Sequence, residues 1–290
     1  MAAILDPRRT RRAGARDFFI APGRRPGTGL VSLDSGPMAI GIIGLGRLGG
    51  ALARGLSRAQ VPDVIAYNRT PSAAQQVIAE APGVELADTA AAVFERCDVV
   101  FLWMTAAAAR QVLGENAEVV ARRRPLVVAS TTNADLGAFV PTWAETYPNV
   151  NLSTGQGVTL LTWVGDVPEP QRTSVLAPLA ACGAVYEVGA DEIDFYCALA
   201  SNGPALYAHA MQTWADAVAD RNGFDRDLCR EMVWQTVTGT IALQRDEGID
   251  AAEVIHRVAH PGASTERGLA VLDEHLPGGT EQVLQAMGRW

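Results

Sequence analysis

The sequence predicts an α/β protein, a doubly wound parallel sheet followed by an all-helical domain. Three observations predict it. A short, wholly apolar segment, Ala39–Ile43, runs into Gly44-Leu45-Gly46-Arg47-Leu48-Gly49 and then into helical spacing through Leu48, Leu52 and Leu56. Apolar strand-like runs alternate with alanine-rich helical stretches as far as residue 190. Beyond that point the strand signals stop.

An apolar run without polar alternation fits a parallel strand covered on both faces, so Ala39–Ile43 opens the sheet. Val64–Tyr67 is the second strand, Asp98–Met104 a strongly apolar later one, and Pro125–Ser130 another. Val150–Leu152, Leu161–Val164 and Val185–Val188 are expected as short strands closing the sheet, with residues 72–81, 88–96 and 106–121 as crossover helices. From Asp191 the pattern is helical, with breaks expected at Asn222-Gly223, Gly248, His260-Pro261-Gly262 and Pro277-Gly278-Gly279. Gly203-Pro204 suits the start of a new helical segment, in which Leu206, Ala210, Trp214, Ala217 and Val218 share one face. The expected division is an N-terminal extension at 1–37, a dinucleotide-binding domain at 38–190 and a helical domain at 191–290.

Composition narrows the function. With 290 residues, 48% of them hydrophobic, the chain can bury two cores. No apolar run reaches the ~20 residues of a membrane span. Residues 1–37 hold seven arginines against Asp6, Asp17 and Asp34, a charge of +4; since the whole chain carries −8, the remainder carries −12. An acidic body argues against nucleic acid as a partner. The extension buries no core of its own. A start assigned too early or a disordered tail is favoured over an Arg-rich targeting peptide.

All 24 basic residues are arginine, which excludes any mechanism needing a lysine amine. Cys97, Cys182, Cys197 and Cys229 form no C-x-x-C pair and read as small buried hydrophobes in a reducing, cytoplasmic setting. No metal-ligand spacing is evident among the histidines.

The glycine pattern gains meaning from its place between strand and helix, which makes the first domain Rossmann-type. Gly44 makes the tight turn, Gly46 admits the pyrophosphate and Gly49 lets helix and strand pack closely. Helix amides and dipole then hold the phosphates. The second strand ends Tyr67-Asn68-Arg69-Thr70 without the carboxylate that usually binds the ribose of NAD. An arginine beside an amide and a hydroxyl suits a 2′-phosphate, so NADPH is the expected cofactor, held by Gly44, Gly46, Leu48, Gly49, Asn68, Arg69 and Thr70. A solvated turn arginine is the plainer reading of Arg69.

Two further segments carry a resemblance. Val258–Asp273, running through His260-Pro261-Gly262-Ala263-Ser264-Thr265-Glu266, looks like the signature of pyrroline-5-carboxylate reductases. Ser201-Asn202-Gly203-Pro204-Ala205-Leu206-Tyr207 resembles that family's Ser-Gly-Ser-Gly-Pro-Ala-Tyr stretch on its long interdomain helix. The resemblance covers about 250 residues, from Met38 onward. It implies hydride delivery from NADPH to a cyclic imine bearing a carboxylate, possible formation of proline, and an interlocked homodimer or larger assembly built on the helical domain. It also implies that Gly262, Ala263, Ser264 and Thr265 bind substrate, with the Thr265 hydroxyl near the imine nitrogen.

The residues agree physically. A Pro261–Thr265 loop feeding a helix N-terminus aims the N–H groups of Ala263, Ser264 and Thr265 at a carboxylate, although Ser264 and Thr265 as simple helix caps explain the same pattern. His260 is either a proton donor to the developing amine or a structural histidine. With Thr265 and Ser264 it completes the expected catalytic set.

Three departures bear on the substrate. The family's second glycine is Ala263, and its small or hydroxyl residue before the proline is His260. Its Met-Pro-Asn-x-Pro loop after the sixth strand is missing, with Asn149–Gly157 in its place. Another imine or ketone of specialised metabolism, or a nucleotide-binding homologue without catalysis, therefore remains as an alternative. β-Hydroxyacid dehydrogenases and ketopantoate-type reductases resemble the layout but rely on a catalytic lysine. Deazaflavin-dependent NADP oxidoreductases resemble the glycine opening but lack the Pro-Gly-x-x-Thr helix.

Overall fold

Ile40–Ile43, fully buried, forms β1, and the chain turns at Gly44 into α1 (Arg47–Arg58). Strands and helices then alternate, with β3 an addition to the strands expected: β2 (Val64–Tyr67), α2 (Pro71–Ala79), β3 (Val84–Leu86), α3 (Ala90–Arg96) and β4 (Val99–Leu102). These are followed by α4 (Ala106–Glu115), α5 (Ala117–Arg123) and β5 (Leu126–Ala129). The computed structural model describes residues 38–130 and 134–288, so the reading of residues 1–37 lies outside the described residues.

The second half of the sheet departs from expectation. Trp143–Pro148 is a strand, β6, and Val150–Leu152 is not: Val150–Thr154 coils into a 3-10 turn. The cause is Asn149, whose Oδ1 accepts the N–H of Asn151 at 3.1 Å and so offers the backbone a turn in place of a ladder. The turn lies against α1, where a methyl group at Gly55 would collide with the Leu152 carbonyl. β7 spans Gly157–Val164, longer than read, and β8 covers Gly183–Glu187. Between them α6 (Glu169–Ala181) starts behind Pro168, with Pro170 in its first turn, and carries Pro178 inside it.

All eight strands form one sheet in the order β3-β2-β1-β4-β5-β6-β7-β8. Pairing is parallel from β3 to β6, with Ile40 opposite both Val64 and Val99; β7 runs antiparallel to β6, and β8 parallel to β7. One face packs Ile42, Phe101 and Val128 against Leu52 and Leu56 of α1. The other packs Ile43, Val100 and Leu102 against Phe94 and Leu113. Strand order reverses between β1 and β4, which places a crevice at their carboxyl ends, where open α/β sheets bind ligands.

After β8 the described chain is helical. α7 (Ile193–Tyr196) packs on the sheet, Ile193 and Cys197 meeting Leu160 and Tyr147. Then come α8 (Gly203–Asn222), α9 (Arg226–Glu247), α10 (Ala251–Val258) and α11 (Ser264–Ala286). Gly203 and Pro204 open α8, and Gly223 and Gly248 end α8 and α9 in the left-handed conformation at φ 67° and 66°, as their positions predicted. Asp225 and Asp250 cap the next helices through the N–H groups of Leu228 and Glu253. The expected break at Pro277-Gly278-Gly279 does not occur; α11 runs through it. Pro277 removes one helical donor, and Asp273, whose carbonyl loses that donor, is exposed, which keeps the loss cheap.

Within one chain α8 and α9 meet through Ala215, Ala219 and Cys229. The face expected to be apolar, with Leu206, Trp214 and Val218, points to solvent, Trp214 being 58% exposed. It borders an open apolar trough of about 510 Å³ lined by Ala210, Met211, Trp214, Met232 and Val237. Helix α11 buries none of its residues.

Candidate functional site

The glycine turn is held from two sides. The Gly44 N–H donates to Tyr67 O at 2.9 Å, and the Leu45 N–H to Asn68 Oδ1 at 3.0 Å. Asn68 Nδ2 in turn donates to Thr70 O at 3.0 Å, so the end of β2 is tied to the turn. Gly44 adopts φ +100°, a conformation side chains disfavour, and a methyl group on Gly49 would collide with the Gly44 carbonyl. A Cβ on Gly46 would meet nothing within 4 Å: open space lies over the start of α1.

The first backbone bond of α1 runs from the Gly50 N–H to Gly46 O at 2.8 Å, and no side chain caps the helix. The amides of Arg47 and Leu48 thus have no partner among the described residues, and they face the room left by Gly46. This cradle fits a pyrophosphate. Leu48 contributes its amide, its side chain being packed on the core. Met104, just beyond β4, lies against Gly44, and Ser130 Oγ donates to its carbonyl at 3.3 Å, so the ends of β1, β4 and β5 meet at the crevice.

Arg69 and Thr70 are exposed where β2 passes into α2. Arg69 makes no ion pair among the described residues, and the Thr70 side chain makes no capping bond, so both are available to a phosphate. Asn68 is different. Its amide is committed to the turn and shapes the site from behind.

The second expected cluster stands at the start of α11. Gly262 is left-handed at φ 78°; its N–H goes to Glu266 Oε2 at 2.7 Å and its carbonyl accepts from Arg267 at 2.8 Å. The Ala263 N–H closes a turn on His260 O at 3.0 Å, so it is not available to a ligand, contrary to the reading of the loop. Ala263 itself occupies the N-cap without a side-chain bond. Ser264 and Thr265 occupy the first two helical positions, and their amides and hydroxyls have no partner among the described residues. They are not the caps of this helix. His260 is exposed, and no hydrogen bond joins this loop to the glycine turn within one chain among the described residues.

With β6 located, the loop after the sixth strand reads differently. Pro148-Asn149 matches the Pro-Asn of the Met-Pro-Asn-x-Pro pattern, with Tyr147 in place of the methionine and Asn151 in place of the second proline. Asn149 is 4% exposed and bonded at both amide atoms: Nδ2 donates to Ala200 O at 3.0 Å, while Oδ1 accepts from Asn151 and from Val158 at 3.2 Å. Ser201 Oγ donates to Pro148 O at 3.2 Å. The strand end is thereby fastened to the segment leading into α8. The backbone-bonding role of Asn149 was not expected; the Pro-Asn pair was a visible signal hidden by misplacing the strand.

Sheet, crevice and glycine cradle define a Rossmann-type dinucleotide-binding protein with a helical C-terminal domain. Residues 39–138 match the NAD binding domain of 6-phosphogluconate dehydrogenase, and residues 190–289 match the pyrroline-5-carboxylate reductase dimerisation domain. A pyrroline-5-carboxylate reductase of Aquifex aeolicus is 32% identical over 44% of this chain and 48% of its own length, so that match spans about half the relative. Pyrroline-5-carboxylate reductase 3 of Rattus norvegicus is 25% identical over 83% of this chain and 89% of its own. The crystal structure of Plasmodium falciparum pyrroline carboxylate reductase with NADP bound shares the fold at TM-score 0.71 and 20% identity, covering 86% of this chain and 94% of that one. Residues 190–289 thus carry the dimerisation domain of pyrroline-5-carboxylate reductases, and the chain is similar to those reductases, at modest identity, over most of its length.

Proposed function

We propose that the chain is an NADPH-dependent oxidoreductase that reduces a cyclic imine bearing a carboxylate, with proline or a related imino acid as product. The observation that carries this reading is the start of α11. Its uncapped first turn stands behind a left-handed Gly262 and offers unpartnered amides and hydroxyls at Ser264 and Thr265. A carboxylate suits that set of donors. The substrate-binding residues are Gly262, Ala263, Ser264 and Thr265, with Ala263 contributing shape, since its N–H is used.

Gly44, Gly46, Leu48 and Gly49 would hold the pyrophosphate, Arg69 and Thr70 the 2′-phosphate, and Asn68 the shape of the turn. Bound there, the nicotinamide supplies a hydride. The protein's own tasks are to orient the imine carbon toward that hydride, exclude water and manage one proton. An iminium arrives already protonated; a neutral imine takes its proton at nitrogen, beside the Thr265 hydroxyl, with His260 as the donor. The two halves of the site fall on separate domains, divided near residue 190, and their meeting across a homodimer fits the unburied α11. The buried thiols of Cys97, Cys182 and Cys229 support a cytoplasmic setting.

The test is NADPH consumption over a panel of five- and six-membered cyclic imino acids, with open-chain ketones and a deazaflavin alongside. Turnover of a carboxylated cyclic imine is expected. Tight NADPH binding without reduction of any imine in the panel would contradict the reading. Thr265→Ala is expected to cut turnover and leave NADPH affinity nearly unchanged.

A further inference from the structure

We infer that Arg47 is a second phosphate-binding cation of the cofactor site, acting on the pyrophosphate that NADH and NADPH share. The inference rests on the reading of the glycine turn as a dinucleotide site. Arg47 is the first residue of α1, where the positive end of the helix dipole disfavours a cation, and the first turn holds no acidic residue to offset it. Its guanidinium is exposed and has no hydrogen bond or ion pair among the described residues. Farther along the same helix, Arg54 is paired with Glu80 at 3.1 Å.

A lone cation at the wrong end of a helix is a local conflict that an anion would resolve. Side chains on a helix lean toward its N-terminus, so the Arg47 stem is directed over the open space at Gly46. Arg69 follows β2, just past the bonds that tie Tyr67 and Asn68 to the turn. The two arginines thus belong to different elements that are tied together at one turn. The one at the helix start meets the phosphates bound by helix amides, and the one after β2 meets the ribose phosphate.

Titration of both cofactors into the wild type, Arg47→Ala, Arg47→Lys and Arg69→Ala, read by nicotinamide fluorescence, separates these roles. Melting curves without cofactor accompany the titrations. Arg47→Ala is expected to weaken NADH and NADPH alike, by about tenfold or more, and Arg47→Lys by less. Arg69→Ala is expected to weaken NADPH alone. Without cofactor, Arg47→Ala is expected to melt on the order of 1–3 °C higher than the wild type, the unfavourable charge having gone. Unchanged affinity in Arg47→Ala, or a loss confined to NADPH, would overturn the inference while leaving the proposed function standing. A wild type that binds neither dinucleotide would overturn both.

Discussion

Asn68 and Asn149 serve the site without facing a ligand. Each bonds backbone groups through both its amide oxygen and its amide nitrogen, Asn68 between the glycine turn and Thr70, Asn149 between the turn after β6, β7 and the lead into α8. Removing a buried partner leaves its donors unsatisfied at about 1–3 kcal/mol. Asn149→Ala is therefore expected to cost roughly that much in denaturant unfolding and to lower turnover more than NADPH affinity. Gly49→Ala forces a methyl group onto the Gly44 carbonyl and is expected to cost about 1–3 kcal/mol and abolish cofactor binding by titration. Burial pushes the Cys97 and Cys182 thiols up from 9.0 to about 12. A group whose folded value is raised stabilises the fold fully below its unfolded value and loses that contribution as pH rises through the folded one. The melting temperature is thus expected to fall between pH 9 and 12, less steeply in Cys182→Ala.

At the scale of elements, legibility followed the source of the signal. β1, β2, β4 and β5 are buried on both faces and were visible as apolar runs. β3 was not, because Glu85 and Leu86 are exposed at the sheet edge. β6 was not, because Glu145 and Thr146 are polar yet buried; Glu145 accepts from Trp143 Nε1 and Ala134, and Thr146 donates to Ala129 O. Buried polar residues satisfied by long-range bonds carry no local mark. Missing β6 moved the following loop by a few residues and concealed Pro148-Asn149. The glycine cradle, set by local backbone geometry, was fully readable, whereas the partner of each side chain was not. Gly55 gives an element-scale prediction: Gly55→Val drives the 3-10 turn off α1 and is expected to lower the melting temperature by several degrees.

The whole molecule leaves a large apolar helical surface open in one chain, with Trp214, Met232 and Trp234 all more than half exposed. Such a surface on a dimerisation domain calls for a second copy. The protein is expected to be a dimer or larger by light scattering at micromolar concentration. Met232→Glu, in the apolar trough, is expected to dissociate it and end turnover while NADPH still binds to the separate glycine turn.

Hydride transfer to an imine carbon is the claim on which the functional account turns. Its most direct measurement uses NADPH deuterated at its transferable position, mixed with a carboxylated cyclic imine and the protein. The account predicts deuterium in the product at the former imine carbon. Product without deuterium at that carbon, or label found in solvent alone, would contradict it.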